Sequence, residues 1–311
     1  MLMKKLLCFI FSLLIILPAI AQEEPLYSQY KSNAFVLNPA VAGTRMQQEI
    51  RINYRLQWRN FPGAPRTATV TYTGRFDNKN SIGLMAFSDA LGPTLRNGAQ
   101  LAYAYRLPLG YGGSMGQNML SFGMGLKYIQ QSFRADRVTF QDQADPAIAA
   151  AMGNLNLADL SFGVQFYNEN LWLGFSAPNL IQGNLSAIGN DPQTRANISR
   201  LYTYYFLFGG YRFKYDNLTV EPSVLVKRAD ATPYQIEGTI RFYLLEEKLI
   251  LGGSYRTDWL ASLMFGMRVK NMEFLYSSDF MTRAQPGNVF GASHEFTLGL
   301  DLQGWKDYYG E

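Results

Sequence analysis

Few residues in this chain are suited to covalent or metal chemistry. Among 311 residues there is one histidine and one cysteine. His294 stands between Ser293 and Glu295, the residue types of a nucleophile, base and acid relay. Adjacent side chains on a strand point to opposite faces, so these three cannot form that relay by themselves. With Cys8 in an N-terminal leader and a single imidazole elsewhere, a zinc or iron site has no ligand set. The Gly-rich stretch 110–116 lacks the Lys-Ser/Thr of a phosphate loop. Glu246-Glu247 reads as solvated turn charge, and Asn197-Ile198-Ser199 fits a glycosylation sequon only formally. No catalytic residue, metal ligand or cofactor site is expected, and the chain does not read as an enzyme. The charges that remain are arginines at regular spacing, Arg51, Arg55 and Arg59, and their role depends on the element that carries them.

From Ile50 to Arg59 apolar and polar residues alternate without a fault. Period two is a strand with one apolar face, and here the opposite face carries the three arginines. In a barrel the apolar face meets lipid and the arginines line the lumen. A one-residue slip would place each arginine on lipid at roughly 2–4 kcal/mol near the midplane, so the register is firm. The same pattern recurs: Ala68, Val70, Tyr72 and Phe76 alternate with threonines; Leu101, Tyr103, Tyr105 and Leu107 with Gln100, Ala102, Ala104 and Arg106. Leu120, Phe122, Met124, Leu126 and Tyr128 oppose Ser121, Gly123, Gly125 and Lys127. Ile236, Ile240, Phe242 and Leu244 oppose Glu237, Thr239 and Arg241; Phe296, Leu298, Leu300 and Leu302 oppose Glu295, Thr297, Gly299 and Asp301. With weaker runs near 80–89, 159–168, 171–177, 200–214, 217–227, 249–256, 260–270 and 272–280, about fourteen strands are expected.

Composition agrees. The chain holds 20 Tyr, 21 Phe, 4 Trp and 28 Gly, with only 17% charged residues and a mean hydropathy close to zero. Disorder is excluded, because disordered chains are poor in aromatics and rich in charge. Helical membrane spans are excluded, because no apolar run of about 20 residues follows the N-terminus. The all-β fold expected is a transmembrane antiparallel β-barrel of about 14 strands, whose opposed faces average out. A soluble sandwich is the competing architecture, and the connections disfavour it. Every second one is tight and polar (77–80, 168–170, 216–217, 246–248, 270–271), while the alternate ones include long segments near 131–158, 178–199 and 281–292. Barrels have this asymmetry, with short periplasmic turns and long outer loops. The Gly-rich connection 108–117 is an exception, and Asp145 to Met152 has the composition of a short helix.

The N-terminus reads as a cleaved signal peptide, 1–21: Lys4-Lys5, an apolar Leu6–Leu17 and Ala19-Ile20-Ala21, with Gln22 first in the mature chain. Cys8 precedes the place a lipidated cysteine would occupy and is removed with the leader. Losing Lys4 and Lys5 lowers the net charge from +4 to +2, so no nucleic-acid partner is implied. Residues 22–47 lack alternation and are expected either to plug the lumen or to lie beneath it. The barrel itself occupies 48–311.

Several motifs then occur in a fixed order: Tyr27-Ser28-Gln29-Tyr30, Leu37-Asn38-Pro39-Ala40, Gly63-Ala64-Pro65, Leu91-Gly92-Pro93-Thr94, Ser176-Ala177-Pro178-Asn179, Gly210-Tyr211-Arg212-Phe213 and Gly253-Ser254-Tyr255-Arg256. In this combination the chain resembles the PorP/SprF family of outer-membrane proteins of the Bacteroidota type IX secretion and gliding machinery. It departs from the family in having Lys31-Ser32-Asn33 where Met-Phe-Asn is common, and in a tail, 304–311, that runs past the last strand. The resemblance implies a non-enzymatic barrel in outer-membrane lipid. It implies a SprF-like role in export or surface anchoring of a secreted adhesin, through the adhesin's C-terminal domain. A PorP-like anchor for a periplasmic peptidoglycan-binding lipoprotein, alongside other type IX components, is the alternative. A further alternative is a diffusion channel for apolar compounds, similar to the FadL class. Partner-binding residues are unknown at this stage.

Overall fold

A computed structural model of the chain describes residues 27–45, 47–111, 117–134, 154–181, 203–229, 232–283 and 291–302. The leader with Cys8, the Asp145–Met152 segment, the 197–199 sequon, most of the long loops and the tail 304–311 lie outside the described residues.

The strands in chain order are β1 (Gln48–Leu56), β2 (Arg66–Arg75), β3 (Asn80–Leu91), β4 (Thr94–Tyr111), β5 (Gln117–Phe133), β6 (Asn154–Tyr167) and β7 (Leu171–Ala177). They continue with β8 (Tyr204–Tyr211, resuming at Phe213–Lys214), β9 (Leu218–Ala229), β10 (Gln235–Leu244), β11 (Leu249–Arg256), β12 (Leu260–Val269), β13 (Met272–Met281) and β14 (Ser293–Asp301). Each pairs antiparallel with its chain neighbours, and β1 pairs with β14 from Glu49↔Asp301 to Leu56↔His294. The sheet is therefore a closed antiparallel barrel of fourteen strands, which leaves no edge. The gap in β8 has a local cause. Tyr211 lies opposite Pro222 in the register shared by β8 and β9, and proline has no N–H to donate to the ladder.

The side chains face as the alternation requires. Along β1, Glu49, Arg51, Asn53 and Arg55 are buried while Ile52 and Tyr54 are exposed. The same inversion holds at Leu101, Tyr103, Met124, Leu126, Leu207, Leu263 and Phe296, apolar and exposed, beside buried Thr67, Thr69, Gln100, Glu221, Arg241 and Glu295. A soluble protein hides its apolar side chains, whereas this one surrounds a polar interior with an apolar belt.

Two expectations are corrected. Arg59 is not a lumen residue: β1 ends at Leu56, Trp58 adopts φ 51°, and Arg59 is exposed in the loop beyond. In the connection expected at 108–117, residues 108–111 and Gln117 belong to strands, and 112–116 lie outside the described residues. β4 runs to Tyr111 across a bulge between Pro108 and Gly110, and β5 starts at Gln117. Asn80 of β3 pairs with Tyr105, and Tyr167 of β6 with Met119, so the β4–β5 hairpin projects past its neighbours at the short-turn end.

Candidate functional site

The lumen holds residues 27–45, which form two short 3-10 turns, Ala34–Val36 and Pro39–Val41. They meet inward-facing residues on opposite sides of the wall. Tyr27 Oη bonds Thr69 Oγ1 of β2 at 2.8 Å. Ser28 donates its backbone N–H to Glu295 Oε2 of β14 (2.8 Å) and its hydroxyl to Asp279 Oδ2 of β13 (2.7 Å). Gln29 Nε2 reaches Ser277 Oγ (3.0 Å) and the Glu295 carbonyl (2.9 Å), and Tyr30 Oη lies 3.3 Å from Ser223 Oγ of β9. Each residue of the Tyr-Ser-Gln-Tyr motif thus has a partner on the barrel wall.

Leu37-Asn38-Pro39-Ala40 is seated on the opposite wall. Asn38 Oδ1 accepts from the Ala40 N–H (2.9 Å), capping the second turn, while its Nδ2 donates to the Val164 carbonyl (3.0 Å). Ser121 and Ser176 hydroxyls donate to the Ala40 and Leu37 carbonyls, both at 2.7 Å. The close approach depends on glycine. A Cβ on Gly123 would lie 2.2 Å from Ala40 N and 2.4 Å from Pro39 C, and one on Gly163 would lie 1.8 Å from Asn38 Oδ1. Tyr27, Tyr30, Leu37 and Val41 also pack with Trp172, Phe206, Phe208 and Leu225 in one apolar cluster.

Charge dominates the remaining wall. Arg55 binds Asp279 (2.6 Å) and Glu295 (2.9 Å), all three almost completely buried. Arg51 binds Glu49 (3.1 Å) and Glu273 (2.7 Å); Glu273 also receives Arg268 (2.8 Å). The chain continues through Glu247, which takes Arg268 at 2.6 Å and Arg212 at 2.9 Å, to Glu221, which takes Arg212 at 3.2 Å and Lys31 at 3.5 Å. Glu246 is solvated turn charge as expected, paired with Lys248 at the surface, but Glu247 is not: it folds inward as a bridge between two arginines. Lys31 also stands 3.6 Å over the Trp172 ring. Burial pushes its ammonium down to about 7, against the upward pull of Glu221, with Arg212, Arg45 and Arg241 adding to the depression.

His294 points away from this network. Its Nδ1 lies 2.8 Å from Tyr276 Oη on the outer face, while Ser293 and Glu295 are buried inside. The alternation that argued against a relay therefore separates the three side chains. Sequence reasoning identified Arg51, Arg55, Arg241 and Glu295 as inward but missed Glu273 and Asp279 as the partners of Arg51 and Arg55, and Glu221 as the partner of Arg212 and Lys31. The available signal was parity: in a chain with 24 acidic residues, these three occupy inward places of weakly alternating strands.

A closed antiparallel barrel with an apolar outer belt and a polar, buried interior is a β-barrel of the outer membrane, and that is the protein's class and location. The family model for the type IX secretion system membrane protein PorP/SprF matches residues 19–300, and the chain belongs to that family. Membership allies it with other components of the type IX secretion system. Among solved structures it is similar to a FadL homologue of Pseudomonas aeruginosa at 10% identity and a TM-score of 0.46, covering 85% of this chain and 92% of that one. It is also similar to outer membrane protein Omp33 of Acinetobacter baumannii at 9% identity and a TM-score of 0.44, covering 84% and 100%. Below a TM-score of 0.5 these likenesses carry no functional argument. A search of curated proteins found no match.

Proposed function

We propose that this protein is a sealed, non-enzymatic barrel that serves the type IX system as a SprF-like partner for export or surface anchoring of a secreted adhesin. The observation that carries the reading is the N-terminal segment in the lumen. Residues 27–45 bond to β1, β2, β5, β6, β7, β9, β10, β13 and β14, acting as a plug that leaves the barrel's ends as its working surfaces. A plugged barrel suits docking and disfavours diffusion of apolar compounds. Deleting the gene and fractionating cells tests the role: surface adhesin should fall and accumulate inside the cell. Unchanged level and location of every exported protein would contradict it.

A second reading has its own observation. The β4–β5 hairpin projects at the short-turn end and exposes Leu107 and Leu109, a surface suited to a periplasmic partner such as a peptidoglycan-binding lipoprotein. Pull-down of the folded barrel from native membranes separates the readings, because cargo and lipoprotein differ in size and compartment.

A further inference from the structure

At the short-turn end a cavity of about 80 Å³ opens between the N-terminal segment and the wall. One water needs roughly 10–15 Å³ on the same measure, so the space is ample for a small polyatomic ion. Five basic side chains line it: Lys31, Arg45, Arg212, Arg241 and Arg268. The carboxylates nearby are engaged. Glu221 is ion-paired with Lys31 and Arg212, although its Oε1 accepts no hydrogen bond among the described residues, and Glu273 with Arg51, Arg268 and, at 3.9 Å, Arg45. Glu169, at the mouth, is exposed and faces Lys214 at 4.0 Å.

Arg241 differs from the other four. It is 3% exposed, its Nη1 donates to Ser32 Oγ at 3.1 Å, and its Nε and Nη2 have no hydrogen-bond partner among the described residues. It stands opposite Glu221 in the β9–β10 register, yet among the described residues no carboxylate oxygen comes within ion-pair distance of it. A buried guanidinium with two idle donors is costly, and those donors lie on the edge that binds oxyanions in a bidentate fork. We infer that the cavity is a binding site for a phosphate-class oxyanion, held by Arg241 with Lys31 and Arg45 and entered from the short-turn end. The site does not depend on which secretion partner the barrel serves.

Thermal unfolding of the full-length barrel in detergent tests this, with chloride exchanged for inorganic phosphate or glycerol 3-phosphate at constant ionic strength. Phosphate should raise the unfolding midpoint saturably, as a ligand of the folded state does. Arg241→Gln should lose about tenfold or more in apparent affinity. Arg45→Gln, at the more accessible side of the cavity, should weaken binding by a smaller factor and serves if the first variant does not fold. A matching response to glycerol 3-phosphate would assign the ligand to a phosphoester; a response to inorganic phosphate alone would assign it to the free ion. If phosphate and chloride act alike on the unaltered barrel, or if both variants respond as it does, the cavity holds only water bridging Arg241 to Glu221 and the inference is overturned.

Discussion

The two halves of the lumen hold the same N-terminal segment by different physics. On β1 and β9–β14 the wall is a chain of buried ion pairs, from Arg55 with Asp279 and Glu295 to Glu221 with Lys31. On β2–β7 it is mainly threonine, serine, alanine and glycine, with Arg106, Lys127 and Asp159 as buried charged exceptions and Met85, Gln100, Gln165 and Trp172 among the larger side chains. The charged half fixes direction: each carboxylate needs its cation, because removing one partner strands the other without water. The small-residue half fixes distance: wall glycines let backbone approach backbone. The first is sensitive to charge and indifferent to a methyl group, and the second is the reverse.

The largest effect is expected in the charged half. Arg55→Ala leaves Asp279 and Glu295 buried without their cation and should cost about 3–5 kcal/mol, measured by denaturant unfolding in lipid vesicles. Arg55→Lys should recover only part of this, since an ammonium cannot serve two carboxylates with the same fork. On the other half, Gly123→Val must displace the backbone at Pro39-Ala40 and should cost about 1–3 kcal/mol by the same measurement, with faster proteolysis of the N-terminal segment. Gly125→Ala is the control. Its Cβ would meet the Ser161 hydroxyl at 2.5 Å, a side chain able to rotate away, so the loss should be smaller. If Gly125→Ala costs as much as Gly123→Val, the half does not act through fit to the segment.

Asn38→Ala removes a turn cap and the bond to Val164 and should cost about 1 kcal/mol. The smallest effect is the pH response of Lys31. Its ordinary value is 10.5 and burial holds it at about 7, so between these the unfolded chain binds a proton that the folded chain does not. Stability should therefore rise with pH from about 7 toward 10. Above that Tyr30, raised by burial to about 12, acts in the opposite sense, because the unfolded chain loses its proton first. Lys31→Met should flatten the lower rise in a pH series of unfolding midpoints; an unchanged slope would remove Lys31 as its source.

Much of the charged half was legible in the sequence because parity is periodic. Arg51 and Arg55 follow from β1 alone, and an all-β barrel of about fourteen strands follows from the same period repeated. Their partners were not legible: Asp279 is 224 residues from Arg55, and only closure of β1 on β14 brings β13 within reach. The small-residue half was legible as small inward residues but not as a fit. Residues 27–45 have no alternation to read, and what Gly123 and Gly163 make room for appears only when that segment is in place. Strand ends were misjudged where local geometry overrides pattern, at Trp58 with its positive φ and at the Pro108–Gly110 bulge.

We propose that residues 27–45 seal the lumen, and solute flux tests this most directly. The intact barrel, reconstituted in liposomes beside a variant lacking residues 27–45 that is verified to be folded, should pass no small hydrophilic solute, while the shortened barrel should pass it freely. Equal flux through both, or ready passage through the intact barrel, would contradict the account.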